Sequence, residues 1–466
     1  WTQVAQYIIM IVSFLGVVGL IGWHRYHDPV PQFSTGHLLQ QIEKEELRIA
    51  HDPAEQRVRD HFLAEAQALQ ERIARLPQSF EESREALNTQ LKLARERNAP
   101  LREIKTLERT REEFPSDAAS ASILWNLERE TALERSRAAP PSSEPFPSKS
   151  EAERGTERLN FVLLVFCLMV GTASLPHILT RFHTTPSVRE TRNSVSWTLF
   201  FVALLYVSAP ALAALVKLDL LQHLVGTPFA DLPQWIVPWR KVDPAVLTLR
   251  DINGDGIVQW AEVMIQPDMV VLAAPEIAGL PYVLSGLIAA GALAAALSTA
   301  DGLLLTIANA LSHDVYFHMI DNTASHQRRV TSAKVVLLAV ALLAAYVTSL
   351  KPGNILFLVG AAFSLAASCF FPVLVLGVFW KRTNRAGAIA GMLTGLAVSV
   401  YYIFVNYPFF TRMTGILGQP WFGVDPIASG AFGVPAGFVA AIAVSLLTKP
   451  NRPVVDKLVS YLRDPL

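Results

Sequence analysis

The chain has 466 residues, of which 51% are hydrophobic and 17% are charged, and its formal net charge is +0. A soluble domain carries about a quarter charged residues, and here the charges concentrate between His24 and Arg158, whereas long stretches after Leu159 hold almost none. The sequence therefore predicts an all-α polytopic membrane protein with one large polar insert. The balanced charge argues against nucleic acid as a partner. Cys167 and Cys369 lie in apolar runs and predict no disulfide or cysteine-based metal site.

Eight apolar segments are long enough to cross about 30 Å of hydrocarbon. They span about residues 4–23, 160–181, 194–216, 281–311, 332–350, 354–380, 386–406 and 431–448. Lys and Arg cluster in alternate connections, at residues 181–192, 328–334, 381–385 and 449–452. Since cytoplasmic loops carry an excess of these residues, we expect these connections to be cytoplasmic and the remaining ones to face the other side.

This orientation divides the chain into seven parts. They are a transmembrane helix at 1–23, an extracytoplasmic charged helical insert and linker at 24–158, two transmembrane helices at 159–216, an extracytoplasmic loop at 217–280, three transmembrane helices at 281–380, two peripheral transmembrane helices at 381–448 and a cytoplasmic tail at 449–466.

The insert contains several helix starts. "DPAEQRVRDHF" offers Asp52 as N-cap with Pro53 at the first helical position, and "SFEE", beginning at Ser79, matches a capping box. A further helix is predicted to start at Ser116, and "AAPPSSEPFPSKSE" (138–151) is predicted to be a linker. The pattern fits a solvated helical hairpin or coiled coil, and a partner-docking arm is the alternative.

The stretch "DINGDGIVQWAE" has the ligand spacing of a calcium-binding EF-hand loop. Its expected calcium ligands are Asp251, Asn253, Asp255, the carbonyl of Ile257, Gln259 and Glu262. "DPAVLTLR" before the loop and "VQWAEVMI" at its end predict an entering and an exiting helix. We expect a structural Ca²⁺ site of weak affinity, since the motif occurs once here; a metal-free, Asp-capped loop is the alternative.

The fourth apolar segment carries polar side chains near its middle, in "AAALSTADGLLLTIANALSHDVY". Ser298, Thr299, Asp301 and Thr306 lie among small residues that allow helices to approach closely in lipid. Hydroxyl and carboxylate oxygens suit a hard cation such as Na⁺, and an ionisable group at this depth suggests function. Alternatively, the hydroxyls bond to carbonyls of their own helix and Asp301 caps or pairs near the inner face.

This segment resembles the signature span of the sodium:solute symporter family. "GTASLPHILTRFHTTPSVRETR", which begins at Gly171, is similar to the acetate-permease-like branch, and "WTQVAQYI" resembles a span opening common to the family. The insert and the EF-hand-like loop resemble those of a bacterial subgroup. The resemblance implies a leucine-transporter-like inverted-repeat fold in a bacterial cell (inner) membrane. It also implies Na⁺-coupled symport of a small organic anion, acetate or another short monocarboxylate.

The resemblance also implies site residues. The Na⁺ ligands would be the carbonyl of Ala295 and the hydroxyls of Ser298 and Thr299, with Asp301 one turn inward to assist ion release. The substrate-binding residues would be Gly171, Thr172, Ser174 and His177, next to a helix break at Pro176. Thr172 and Ser174 are expected to face the substrate. His177 can bind a carboxylate, and a structural role for this histidine is the alternative.

The sequence departs from the family pattern at its beginning. The family has about five further spans before the equivalent of "WTQVAQ", including the other broken helix, so this chain is expected to lack the N-terminal half of the transporter and not to transport alone. Uptake of another solute, such as the amino acid proline, and a transporter-like sensor are alternatives. No nucleophile–base pair, catalytic metal cluster or phosphate loop is readable, so we do not expect an enzyme.

Overall fold

A computed structural model describes residues 2–112, 114–148, 150–182, 185–242, 246–416 and 418–450. The described residues form eighteen α-helices and one two-stranded sheet. The helices are α1 (Thr2–Ile11), α2 (Val17–Tyr26), α3 (Pro31–Ala50), α4 (Pro53–Ala74), α5 (Gln78–Glu96), α6 (Leu101–Glu112), α7 (Ala118–Ser136), α8 (Glu151–Ser174), α9 (Pro176–Phe182), α10 (Val188–His223), α11 (Ile236–Val242), α12 (Val270–Ile277), α13 (Tyr282–Asn309), α14 (His326–Ser349), α15 (Ile355–Phe379), α16 (Arg385–Asn406), α17 (Pro408–Thr414) and α18 (Gly430–Leu447). Most of the predicted cytoplasmic tail lies outside the described residues.

Within the described residues, eight helical segments are long and apolar enough to cross a membrane, which confirms the eight predicted spans. They are Tyr7–Tyr26, Glu151–Ser174, Val188–His223, Tyr282–Ile320, His326–Ser349, Ile355–Phe379, Arg385–Asn406 and Pro426–Leu447. Single π-helical stretches join α1 to α2 and extend α13. The third segment has 36 residues, or about 54 Å at the α-helical rise, so it extends beyond the apolar layer. The chain is thus an all-α polytopic membrane protein.

The insert contains helices α3–α7, and two of the three predicted helix starts need correction. Asp52 does cap α4, because its side chain accepts a hydrogen bond from the amide of Ala54 at 2.9 Å. The prediction of a capping box at Ser79 was wrong, because α5 begins one residue earlier, at Gln78. The Ser79 hydroxyl instead donates a hydrogen bond to the carbonyl of Arg72 in α4, at 2.6 Å. Asp117, rather than Ser116, caps α7 through the amide of Ser120.

The insert belongs to two hydrophobic cores, so a simple hairpin or coiled coil does not describe it. Helix α3 buries its apolar stripe against α2 and α10 in the main core, which includes Leu38, Ile42, Leu212 and Leu215. Helices α4, α5 and α7 share a separate small core formed by the buried residues Leu69, Phe80, Ala121 and Trp125, and α6 packs on α5. We refer to residues 53–136 as the α4–α7 module.

The three long C-terminal helices α15, α16 and α18 pack through small residues. Gly387, Gly391 and Gly395 recur every fourth residue on α16 and are all buried. A methyl group at Gly395 would lie 2.1 Å from the carbonyl oxygen of Ser368 on α15. The hydroxyl of Ser368 also lies 2.6 Å from that of Ser399. Such close approach of backbones is how helices associate in lipid.

Candidate functional site

The predicted Na⁺ ligands lie within one turn near the middle of α13. The hydroxyl of Thr299 donates a hydrogen bond to the carbonyl of Ala295 at 3.2 Å, so the back-bonding alternative holds for this side chain. The Ala295 carbonyl also accepts the helical amide of Thr299, so both of its lone pairs are engaged, whereas the Thr299 hydroxyl oxygen can still accept. The carbonyl becomes available to a cation when the hydroxyl turns away from it. Ser298 is half-buried and Thr299 is exposed in this chain.

Asp301 follows the same turn and is exposed. Among the residues that the structure describes, no hydrogen-bond or ion-pair partner of its carboxylate is found. The predicted pairing near the inner face is therefore not seen within the described ranges, and the role of Asp301 in ion release stays a prediction.

The helix break expected near Pro176 occurs at Leu175. Helix α8 ends at Ser174, Leu175 adopts an extended conformation with φ −66° and ψ 119°, and α9 begins at Pro176. Proline has no amide donor and disfavours helical backbone at the residue before it. The Ser174 hydroxyl is buried and donates to the carbonyls of Val170 and Gly171, at 2.8 and 3.1 Å. The Ser174 side chain therefore bonds back to its own helix immediately before the break.

The other predicted substrate residues differ in their surroundings. Gly171 lies against α15, since a methyl group there would be 2.6 Å from the carbonyl oxygen of Phe363. Thr172 is exposed and donates to the carbonyl of Leu168 at 2.7 Å. Gly171 thus allows α8 and α15 to pack closely, whereas the Thr172 side chain lies on the exposed surface of α8.

A pocket of about 420 Å³ lies beside the helix break. It brings His177 together with Thr306 of α13, but it contains neither Thr172, Ser174 nor the Ala295–Thr299 turn. Its lining is Leu175, Pro176, His177, Leu303, Thr306, Ile307, Ala362, Leu365, Ala366, Cys369, Phe370 and Leu396. The size falls in the range of small-ligand pockets, which are mostly apolar with a few polar groups. Thr306 was predicted only as a polar residue of the span. Nothing in the sequence indicates that Cys369 lies beside it in this pocket.

The EF-hand-like segment (residues 251–262), here called the twelve-residue loop, folds around its own carboxylates. Asp251 accepts hydrogen bonds from the amides of Gly254 and Gly256, at 2.8 and 3.0 Å, and both glycines have positive φ. The fully buried Glu262 accepts from the amides of Ile252 and Gln259, at 2.7 and 3.1 Å. Burial raises the pKa of the Glu262 carboxyl, while these two amides favour its charged form.

The prediction of a helix on either side of this loop was wrong, because short strands lie there instead. Strands β1 (Leu247–Leu249) and β2 (Val263–Ile265) pair in antiparallel fashion across it, and a single 3₁₀ turn, Trp260–Glu262, precedes β2. Successive strand residues point to opposite faces, which lets Leu247 and Leu249 both enter the main core. The predicted N-cap and proline of the entering helix, Asp243 and Pro244, lie outside the described residues.

The described parts of the chain hold no group of three or more His, Cys, Asp or Glu side chains that could hold a metal ion. In the twelve-residue loop, Asp251, Asp255 and Glu262 accept hydrogen bonds from loop amides instead. Asn253 and Gln259 direct their amide groups at Asp255. The ligand order of a calcium loop is thus present without a converged set of carboxylates.

Comparison with known proteins adds to this geometry. A family model described as the sodium:solute symporter family matches residues 262–395, which include the Ala295–Thr299 turn but not Gly171–His177. An uncharacterized symporter of Cupriavidus necator is 71% identical over 463 residues, covering 99% of this chain and 68% of that protein. A monocarboxylic acid transporter of Corynebacterium glutamicum is 28% identical over 305 residues, covering 64% of this chain and 48% of that protein. The chain belongs to the sodium:solute symporter family.

Proposed function

We propose that the protein is a Na⁺-coupled symporter for a small organic anion, acetate or another short monocarboxylate. The observation that carries this proposal is the family match across α13, where Ala295, Ser298 and Thr299 place three oxygen atoms on one helical turn. The name of the Corynebacterium glutamicum relative supports the substrate class. The aligned region spans 68% of one relative and 48% of the other, so the activity is proposed for the whole transporter.

The coupling has a sufficient energy source. Each net positive charge carried inward across 100 mV provides about 2.3 kcal/mol, which concentrates a solute roughly fiftyfold. One Na⁺ carried with one monocarboxylate moves no net charge, so at that ratio the Na⁺ concentration gradient alone drives uptake. Na⁺ enters as a co-transported substrate held by the α13 oxygens. Asp301, one turn further along the helix, would assist its release.

On the substrate side, His177 is the residue best placed to receive a carboxylate. It lies in an apolar pocket with the hydroxyl-bearing Thr306, directly after the helix break. An imidazole N–H can donate a hydrogen bond to a carboxylate oxygen. Thr172, which is exposed before the break, would add a second polar contact, while Gly171 and Ser174 maintain the local backbone.

The proposed function predicts Na⁺-driven accumulation of acetate. Proteoliposomes containing the protein as expressed from its gene should accumulate labelled acetate when an inward Na⁺ gradient is applied, and not when K⁺ replaces Na⁺. Equal acetate uptake with and without the Na⁺ gradient would contradict coupling. Absence of acetate uptake, with gradient-driven uptake of proline or another solute, would contradict the substrate.

From the ligand spacing of residues 251–262, we also propose that the twelve-residue loop binds Ca²⁺ as a structural ion, with Asp251 and Glu262 as its terminal ligands. Binding requires these carboxylates, which now accept loop amides, to turn toward the ion. Replacing both by alanine should abolish a Ca²⁺-dependent rise in melting temperature and leave any Na⁺-dependent rise unchanged. For Ca²⁺ at ten times its dissociation constant, the rise should be on the order of 1–2 °C. The control is Asp60→Ala with Glu71→Ala, two exposed acids of α4. A Ca²⁺ effect that survives in the loop variant would place the ion elsewhere.

A further inference from the structure

The α4–α7 module is joined to the rest of the chain by a short turn and by a longer segment, in which Ser142 bonds to Glu46 of α3 and to Lys217 of α10. One is the turn at His51 and Asp52 after α3, and the other comprises residues 137–150 before α8. Its hydrophobic core is separate from the main core, to which α3 belongs. The module can therefore change position without exposing the main core.

The module contacts the twelve-residue loop at the Trp260–Glu262 turn, where its shortest polar contacts are with the backbone of Ala261. The amide of Ala261 donates to the carboxylate of Glu55 on α4, at 3.1 and 3.3 Å from its two oxygens. The carbonyl of Ala261 accepts from the guanidinium of Arg135 on α7 at 2.9 Å. Both polar groups of one peptide residue are thus held by charged side chains from two helices of the module.

These charged side chains are fixed in place by their neighbours. Glu55 is 1% exposed and accepts a hydrogen bond from Arg59 at 2.9 Å. Burial raises the pKa of the Glu55 carboxyl, while Ala261 and Arg59 favour its charged form. The Arg135 guanidinium lies 4.0 Å from the centre of the Phe62 ring. The Arg135 donor and the Glu55 acceptor are therefore held in position to bond to Ala261.

Beside this contact the surfaces of module and loop separate. A cleft of about 1140 Å³ lies beside the contact, lined by Glu55 and Arg135 of the module, by Trp260 of the loop and by parts of the connecting segment such as Ala138 and Pro147. The nearby pair Arg57–Asp255 is long, at 3.8 Å, and largely exposed on the arginine side, so it contributes little. Glu55, Arg135 and Ala261 belong to neither hydrophobic core, so the Ala261 contact can open without disrupting either core.

We propose that the α4–α7 module is a hinged lid that docks reversibly on the twelve-residue loop, with Glu55 and Arg135 as a latch on Ala261. The loop continues through β2 and α12 into α13, so the latch connects the insert to the helix that carries Ala295 and Ser298. Helix α7 also contacts α17, which gives the lid a second, smaller support. The inference rests on contacts within the chain and is independent of the proposed transport activity.

Hydrogen exchange at the amide of Ala261 tests the lid directly, because its acceptor among the described residues is Glu55. Arg135→Met removes the bond to the Ala261 carbonyl and leaves the amide bond to Glu55 in place. If the contact opens as a unit, this variant should still accelerate exchange of the Ala261 amide, roughly tenfold or more for a charged hydrogen bond. Exchange would be measured by mass spectrometry with single-residue fragmentation on the full chain in detergent.

Glu55→Gln should have the same effect, and Arg84→Met, which changes an exposed arginine of α5, should have none. Amides within α4, α7 and the β1–β2 pair should keep their wild-type exchange rates in every variant. An unchanged Ala261 rate in Arg135→Met would overturn the proposal. Equal acceleration throughout α4 and α7 would also overturn it, because the module would then unfold rather than undock.

Discussion

Replacing Ser298 and Thr299 together by alanine is expected to raise the Na⁺ concentration for half-maximal uptake roughly tenfold or more. The change removes two of the three oxygens that α13 offers to the ion. Na⁺ would have to replace them with water at mid-membrane, and a loss of about 1.4 kcal/mol in binding free energy already corresponds to tenfold. The maximal rate at saturating Na⁺ should fall less than the apparent affinity.

The structure supplies a matched control for this variant. Thr348 and Ser349 form another adjacent hydroxyl pair, exposed at the end of α14, and Thr348 back-bonds to Ala344 at 2.8 Å as Thr299 does to Ala295. Thr348→Ala with Ser349→Ala should leave the Na⁺ dependence of uptake in proteoliposomes unchanged. If both double variants show the wild-type Na⁺ dependence, the α13 turn does not bind the ion and its hydroxyls only satisfy helix carbonyls.

The spans could be predicted from the sequence because crossing a membrane depends on local composition. Each of the eight segments needs only enough consecutive apolar residues, and no knowledge of its neighbours. The cap at Asp52 and the break before Pro176 are local in the same sense, because each depends on residues within one turn. These features were confirmed by the structure.

Contacts between distant segments could not be read in this way. The sequence of α3 shows an amphipathic helix, but it does not show that α10 covers its apolar stripe. At the twelve-residue loop, local spacing favoured flanking helices, whereas pairing of β1 with β2 and burial of Leu247 in the main core favour strands. Tertiary burial outweighed the local preference there.

In the candidate site, too, some features could be predicted from local sequence and others depend on contacts between distant segments. Ser298, Thr299 and Asp301 were recognisable because polar side chains in an apolar span are unusual. The pocket beside His177 was not, because its walls come from α8–α9, α13, α15 and α16. Cys369 and Leu396 carry no local signal of function, and only the packing of α15 and α16 brings them to the break.

Replacing Gly395 by alanine is expected to lower the melting temperature of the chain by several degrees. The new methyl group would lie 2.1 Å from the carbonyl oxygen of Ser368 and 3.1 Å from that of Gly433. Both atoms are helix backbone, so α15 and α18 must move away from α16. Overpacking of this kind typically costs about 1–3 kcal/mol, which outweighs the gain of about 1 kcal/mol from replacing glycine by alanine in a helix.

The matched control is Gly377→Ala on α15, where a methyl group would meet no atom within 4 Å. This variant should be neutral or slightly more stable, since only the helix preference changes. Both variants would be compared by thermal unfolding in the same detergent. Equal melting temperatures would contradict the close packing of α16 between α15 and α18. A loss confined to Gly395→Ala would show that backbone contact, rather than helix propensity, holds these spans together, as expected where lipid tails are as apolar as the side chains.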